Sequence, residues 1–422
     1  MAIENYRSDM EMCHRCSACK FIPLERIRGY DHAGACPSIG RYNFHSYSGG
    51  GRVAMGLALL DGRFGYTKQF LDVVYNCQMC GACDVSCKYG MDMEVLEPLT
   101  ELRIRCVEDG HPNPAAGEMM KNLRGQGTMT AGARARRGRW AEGLGVKDST
   151  VEKTKVLYYA GCRTSFDREL WKVARSTISV LQKAGVNVGI AGTKEPCCGG
   201  RAYYMGYRED LIRQAKANIE MFEQSGAETV VTGCSECYHA FKVLYEKFGV
   251  GATVEVLHST QYFDRLLNQG KLRPSRKVAA KVTYHDPCHL GRLGEPYVPW
   301  QGTRVPGHMY RFDPPKPYRR GTYGVYEPPR DVLRAIPGIE LVEMDRTREY
   351  AWCCGSGGGV KETNPQFALW TAMERIDEAM AIGAEGIVTA CPGCERNFGD
   401  AIRSNREVLP VYDVVELLEK AI

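Results

Sequence analysis

The chain has 422 residues, 44% hydrophobic and 25% charged, an ordinary composition for a globular protein with room for two or three domains. The net charge is +5, and Arg134, Arg136, Arg137 and Arg139 together supply most of that excess, so nothing here demands a nucleic-acid partner. No run of eighteen apolar residues is present and the opening MAIENYRSDMEM has no apolar signal core, which speaks against a spanning helix and leads us to expect a cytoplasmic chain, membrane-associated only through a partner.

Nineteen cysteines set the chain apart. Their odd number and the lack of a secretion signal disfavour a disulfide framework, whereas repeated C-x-x-C units supply the thiolates that iron-sulfur clusters or zinc require. The first module, over about 1–125, is expected to be α-helical and ferredoxin-like. Residues 77–87, CQMCGACDVSC, place Cys77, Cys80, Cys83 and Cys87 in the C-x2-C-x2-C-x3-C spacing of a [4Fe-4S] loop, with Gly81 allowing the tight turn. A second run, Cys13, Cys16 and Cys19, has its fourth cysteine displaced to Cys36, which precedes Pro37. Because the fourth cysteine of each run serves the other cluster in two-cluster ferredoxins, the expected cubane sets are Cys13, Cys16, Cys19 with Cys87, and Cys77, Cys80, Cys83 with Cys36. For Cys36 the alternative is a buried free thiol. Lys88 replaces the proline usual after the last cysteine, which changes the loop exit and not the ligand.

Residues 126–152, rich in glycine and arginine, read as a solvated linker. The chain then repeats itself, at about 153–273 and 274–422. VLYYAGC at 156–162 matches VTYHDPC at 282–288, EPCCGG at 195–200 matches AWCCGS at 351–356, and TVVTGCSEC at 229–237 matches GIVTACPGC at 386–394. Each copy carries five cysteines: Cys162, Cys197, Cys198, Cys234 and Cys237, then Cys288, Cys353, Cys354, Cys391 and Cys394. Between the lone cysteine and the Cys-Cys pair stand 34 residues in copy one and 64 in copy two. The excess falls in a proline-rich stretch at about 295–338 that reads as an irregular surface insertion. Its Tyr297, Trp300, Tyr310, Phe312, Tyr318, Tyr323 and Tyr326 suggest a docking surface.

Short β-rich runs precede these cysteines, and helices with apolar residues at 3.6 spacing follow, as at Leu170, Val173, Ala174, Ile178 and Leu181. The pattern predicts parallel α/β sheets with Cys162, Cys234, Cys288 and Cys391 at the strand ends where ligand crevices form. Five converging thiolates exceed the need of a tetrahedral zinc and of a cubane, although zinc on four with one spare stays open as an alternative. His285 and His289 flank Cys288, and His239 follows the first C-x-x-C; they are candidate proton donors, with hydrogen bonding to cluster sulfur as the simpler role. Cys106 is left over and reads as a buried thiol. The glycine runs at 49–51 and 355–359 match no dinucleotide or phosphate-loop fingerprint, so no flavin or nicotinamide is expected on this chain.

The motifs Cys197-Cys198-Gly199 and Cys353-Cys354-Gly355, each with an upstream cysteine and a downstream C-x-x-C, resemble the CCG domain of heterodisulfide reductases, and a ferredoxin module ahead of two such copies resembles the D subunit of that enzyme. The resemblance covers nearly the whole chain and extends to subunits of 2-hydroxyacid and glycerol-3-phosphate oxidase systems and of the class II benzoyl-CoA reductase assembly. It implies a noncubane [4Fe-4S] cluster in each complete copy, one of them open to replacement by zinc or a cubane, and CCG copies related by a pseudo-twofold. It also implies redox partners of flavoprotein, hydrogenase-like or membrane-cytochrome type, and either reduction of a small disulfide or thiol-type substrate or a purely relaying role. A zinc-stabilised scaffold is the third reading. Anaerobically purified protein is therefore expected to carry about sixteen irons, four per cluster, with matching sulfide; about eight to twelve irons with zinc in the balance and no response to thiol would leave a relay or a scaffold.

Overall fold

The computed structural model describes residues 2–296, 301–307, 311–315 and 320–422. The N-terminal region is helical, with short turns carrying the cysteine runs and helices Gly49–Leu60, Lys68–Tyr75, Ala82–Gly90, Leu96–Glu108 and Ala116–Gln126 supporting them. Two of these helices start on side chains that satisfy first-turn donors: Ser48 accepts from Gly51 N–H, and Thr67 from Phe70 N–H. Val53, Phe70, Val74, Leu99 and Leu102 bury their inner faces together.

Two parallel sheets follow. The first contains β1 (Lys147–Asp148), β2 (Val156–Tyr159), β3 (Val188–Ile190), β4 (Thr229–Thr232) and β5 (Glu255–His258) in the order β1-β3-β2-β4-β5. The second opens with β6 (Ala280–His285); after a short antiparallel ribbon of β7 (Thr303–Arg304) and β8 (Phe312–Asp313) it is completed by β9 (Ile339–Val342), β10 (Gly386–Thr389) and β11 (Val411–Asp413). Its order, β9-β6-β10-β11, reproduces that of the first sheet once β1 is set aside. Every residue of β2, β4 and β10 is buried, which parallel strands require when helices cover both faces. Cys162, Cys234, Cys288 and Cys391 follow β2, β4, β6 and β10, at the strand ends as the sequence predicts. Between the copies, helix Trp171–Lys183 packs on Val414–Ala421, and Ser259–Asn268 on Glu327–Arg334.

Two expectations need correction. Residues 126–152 are not a solvated linker: Thr128 and Trp140 are buried, Lys147–Asp148 extend the first sheet, and Arg137 is 1% exposed although Arg134, Arg136 and Arg139 face solvent. Composition reads a charge cluster as solvated and cannot see that one member has a buried carboxylate, Glu195, to meet. The proline-rich stretch is likewise not irregular throughout. Pro328 and Pro329 occupy the first turn of helix Glu327–Arg334, where a missing N–H costs nothing, and Val332 and Leu333 of that helix are core. Of its aromatics, Phe312 and Tyr326 are buried and Tyr323 is exposed, whereas Tyr297, Trp300, Tyr310 and Tyr318 lie outside the described residues.

Arg103 ties the helical region to both sheets. This fully buried guanidinium donates to the carbonyls of Val74, Tyr75, Cys77, Tyr204 and Gly358, so one side chain satisfies acceptors from the helical region and both copies. The 355–359 glycine run serves the same junction: a Cβ on Gly357 would stand 2.5 Å from the Gln78 carbonyl oxygen, and one on Gly358 2.6 Å from that of Cys77. Arg103→Met is expected to leave several buried carbonyls unpaired and to destabilise the fold by more than about 3 kcal/mol, read as a lower thermal midpoint; an unchanged midpoint would refute the role.

Candidate metal centres

Eighteen of the nineteen cysteines gather into four groups, and all nineteen are free of disulfides. In the first group Cys13, Cys16, Cys19 and Cys87 line one small pocket. Cys19 and Cys87 are buried, while Cys16 is exposed. The Gly50 N–H points at Cys19 Sγ at 3.3 Å, and a Cβ on Gly49 would stand 3.1 Å from Cys83 Sγ, so these two glycines let the start of a helix approach the sulfurs, while Gly51 makes room for the His45 carbonyl. In the second group Cys36 has Cys77 and Cys80 as neighbours, and Cys83 has Cys36, Cys77 and Cys80. The two C-x2-C-x2-C turns share a backbone. Arg15 and Met79 occupy one matched left-handed position (φ 56° and 52°), Ser17 and Gly81 the next (φ 70° and 74°). Helix Ala82–Gly90 carries Cys83 into the second group and Cys87 into the first, and Cys83 has Cys19 of the first group nearby.

Each CCG copy forms one group. In copy one Cys162 meets Cys197, Cys198 meets Cys197 and Cys237, and Cys237 meets Cys234. In copy two Cys353 meets Cys288 and Cys354, and Cys394 meets Cys354 and Cys391. Two contacts join the groups in series. Cys80 of the second group meets Cys353 of copy two, and Cys391 of copy two meets Cys234 of copy one. Arg292 reinforces the first junction by donating to the carbonyls of Cys80 at 2.6 Å and of Ala351 at 2.6 Å.

The donor chemistry fits metal clusters. Burial, followed by the neighbouring thiols, pushes the Cys83 thiol well up, and the hydrogen bonds that Cys353 donates to Cys288, Cys354 and Cys80 push its own thiol well up, so these sets ionise together only around a cation. Soft, all-thiolate sets select iron-sulfur clusters or zinc over hard cations. Backbone N–H groups also face sulfur in both copies, Gly199 to Cys197 at 3.5 Å and Gly355 to Cys353 at 3.3 Å.

The copies differ in their surroundings. A cavity of about 560 Å³ opens on all five cysteines of copy one and on none of copy two. Its walls include Met119, Met129 and Ala131 from the helical region and the connecting segment, and Glu118, Arg163, Arg201, Glu236 and Glu362 bring charge to it. Arg201 pairs with Glu362 at 2.6 Å and with Glu236 at 3.6 Å. The histidines stand elsewhere. His285, where copy one has Tyr159, shares a 4.8 Å cluster with Cys354 and Cys394; Arg375 Nε donates to its Nδ1 at 3.3 Å, which leaves the ring proton on Nε2. His289 Nδ1 lies 3.5 Å from Cys288 Sγ, and His239 bonds Tyr204 and the Leu293 carbonyl. All three are buried, and none lines the cavity. Cys106 belongs to no group; burial pushes its thiol up to about 12. The sequence patterns do not single out Arg201 or Glu362, which belong to no motif, and they give no special role to Glu195, the first residue of EPCCGG, or to Arg137, one of the four clustered arginines. Glu236, inside the C-x-x-C of copy one, was open to notice.

Comparison with known proteins agrees with this layout. The 4Fe-4S dicluster domain family matches residues 9–91, and the cysteine-rich CCG domain family matches 156–242 and 312–399. The D subunit of the dihydromethanophenazine:CoB–CoM heterodisulfide reductase of Methanosarcina mazei is 32% identical over 361 residues, 84% of this chain and 79% of that protein. Its counterpart in Methanosarcina acetivorans is 30% identical over 428 residues, 98% of this chain and 94% of that protein. The chain belongs to the heterodisulfide reductase D-subunit family.

The D-subunit family is also related to longer proteins. The EtfAB:quinone oxidoreductase of Syntrophomonas wolfei is 30% identical over 370 residues, which are 83% of this chain and 46% of that protein. This D-subunit relative is thus an iron-sulfur oxidoreductase subunit, and among its described residues no helix is long and apolar enough to cross a membrane. Removing the displaced fourth cysteine is expected to empty one site: Cys36→Ala should lower iron by about four per chain, whereas Cys106→Ala should leave it unchanged; equal iron in both variants would remove Cys36 from the ligands.

Proposed function

We propose that this chain accepts electrons at its helical end and delivers them to a sulfur substrate held in the cavity of copy one. The cubane sets are Cys13, Cys16, Cys19, Cys87 and Cys77, Cys80, Cys83, Cys36; the five cysteines of each CCG copy hold a noncubane cluster. When bound, these groups supply one-electron transfer in series and a thiophilic metal at its end. The observation that carries the reading is the junction of the cysteine series with the cavity: copy two lies between the second cubane set and copy one, and the cavity opens on copy one.

The chain's own residues then divide the work. Reduction of a disulfide, RSSR′ + 2 e⁻ + 2 H⁺ → RSH + R′SH, needs two protons where the thiolates form. Glu118, Glu236 and Glu362 are the acidic side chains facing the cavity, so we assign proton delivery to that set and not to His285 or His289. His285, its Nδ1 held by Arg375 Nε, packs against Cys354 and Cys394 and keeps them in place. His289 meets Cys288 through Nδ1.

Electrons enter beside Cys16, the one exposed cysteine. Five of the eight exposed large apolar side chains among the described residues, Met12, Phe21, Leu24, Tyr30 and Phe44, lie in the same stretch, with Arg15, Arg26 and Arg28 exposed among them. That face suits an acidic redox partner such as a flavoprotein or a hydrogenase-like protein. We take the modules as 1–125, 126–152, 153–273 and 274–422, and the CCG copies as a pseudo-twofold pair. Cys234 meets its own counterpart Cys391, and the two inter-copy helix contacts exchange equivalent helices, as a local twofold requires.

Addition of a small thiol to oxidised, fully loaded protein is expected to change its paramagnetic spectrum. Identical spectra with and without thiol would leave the chain a relay within a larger assembly.

A further inference from the structure

We propose that Arg137, carried in by the connecting segment, and Glu195 form a charge pair that positions Cys162 and tunes the reduction potential of the metal group in copy one. Both side chains are buried, at 1% and 4% exposure. Arg137 Nη2 donates to Cys162 Sγ at 3.4 Å and to Glu195 Oε1 at 2.9 Å, Nε adds a second bond to Glu195 at 3.1 Å, and the carbonyls of Pro196 and Gly127 take its remaining donors. Glu195 in turn accepts the N–H groups of Ala160 and Gly161, each at 3.0 Å, the two residues that lead into Cys162. The carboxylate therefore grips the turn that aims this cysteine, and the guanidinium caps its sulfur.

Among the described residues copy two has no such pair. Ala351 stands where copy one has Glu195, and Arg292, the arginine beside Cys288, donates to the carbonyls of Cys80, Glu349 and Ala351. In a dry interior a cation touching a ligand sulfur stabilises the added electron, and a carboxylate opposes it. Arg137 thus raises the potential at the end of the series, where electrons must arrive, and Glu195 limits the rise. The same segment contributes Met129, Thr130 and Ala131 to the cavity wall, so the tether also fixes that wall relative to Cys162.

The inference rests on copy one holding a redox-active metal group, which iron per chain measures separately. The test is an EPR-monitored redox titration of full-length, iron-loaded protein, with the copy-one signal identified by its loss in Cys162→Ser. Arg137→Gln is expected to lower the reduced-to-oxidised ratio of that signal by about tenfold at the wild-type midpoint, and Glu195→Gln to raise it, with the copy-two signal unmoved. Opposite shifts distinguish a charge effect from simple loosening, which would move both variants the same way. If Arg137→Gln fails to retain iron, Glu195→Gln is compared with the charge-conserving Arg137→Lys, which is expected to leave the ratio near its wild-type value while Glu195→Gln raises it. Shifts of equal sign in Arg137→Gln and Glu195→Gln, no shift in Glu195→Gln, or a shift confined to copy two would overturn the proposal.

Discussion

Like-charged thiolates do not share a low-dielectric interior unless a cation sits among them. This protein directs eighteen cysteines into four buried or half-buried groups, with successive groups in contact. The rest of the architecture follows from that demand. Cys77 and Cys83 sit at the meeting point of helices, and Cys391 and Cys234 at the meeting point of two sheets, so the cysteine groups stand at the joints between modules.

Buried arginine is the second element of the same logic. Arg52, Arg103, Arg137, Arg292, Arg330, Arg346 and Arg375 are all essentially inaccessible, an unusual number for a cation so costly to bury. Most of their donors go to backbone carbonyls of cysteine-bearing loops or to buried carboxylates, as with Arg330 on Asp286 at 2.7 Å and Arg375 on Glu378 at 2.6 Å. A guanidinium keeps its charge under these conditions and offers five donors in a fixed plane. It can therefore order an irregular loop and offset the negative charge of ligated thiolates at once, a task that lysine, a point charge with a flexible stem, performs poorly.

Duplication supplied two equal frameworks, and their neighbours made them unequal. Strand order, cysteine positions and the Cys-Cys-Gly turn are common to both copies. Copy two is closed in by the helical region through Cys80 and Arg292, and packs His285 and His289 against its sulfurs. Copy one lies further along the series, keeps a cavity over its cysteines and receives Arg137 from outside the repeat. The difference between the two copies thus arises at the borders of the repeats.

The spacing of the cysteines was enough to predict four groups, the helical first module and the parallel sheets with cysteines at strand ends, because a C-x-x-C turn and a buried strand are local objects whose pattern is written within about ten residues. It was also enough to set Cys106 aside. What it could not convey was adjacency between distant segments. The contacts Cys80 to Cys353 and Cys234 to Cys391 set the order of the groups, yet each joins residues far apart in the chain. The glycines at 49–51 and 357–358 matched no motif because their purpose is a close approach to a partner elsewhere in the chain. Arg137 looked like one of four solvated arginines until Glu195 and Cys162 were placed beside it. Cysteine spacing and secondary structure are short-range properties of this chain; charge placement, access and the order in which the cysteine groups touch depend on packing, and only the tertiary structure decided them.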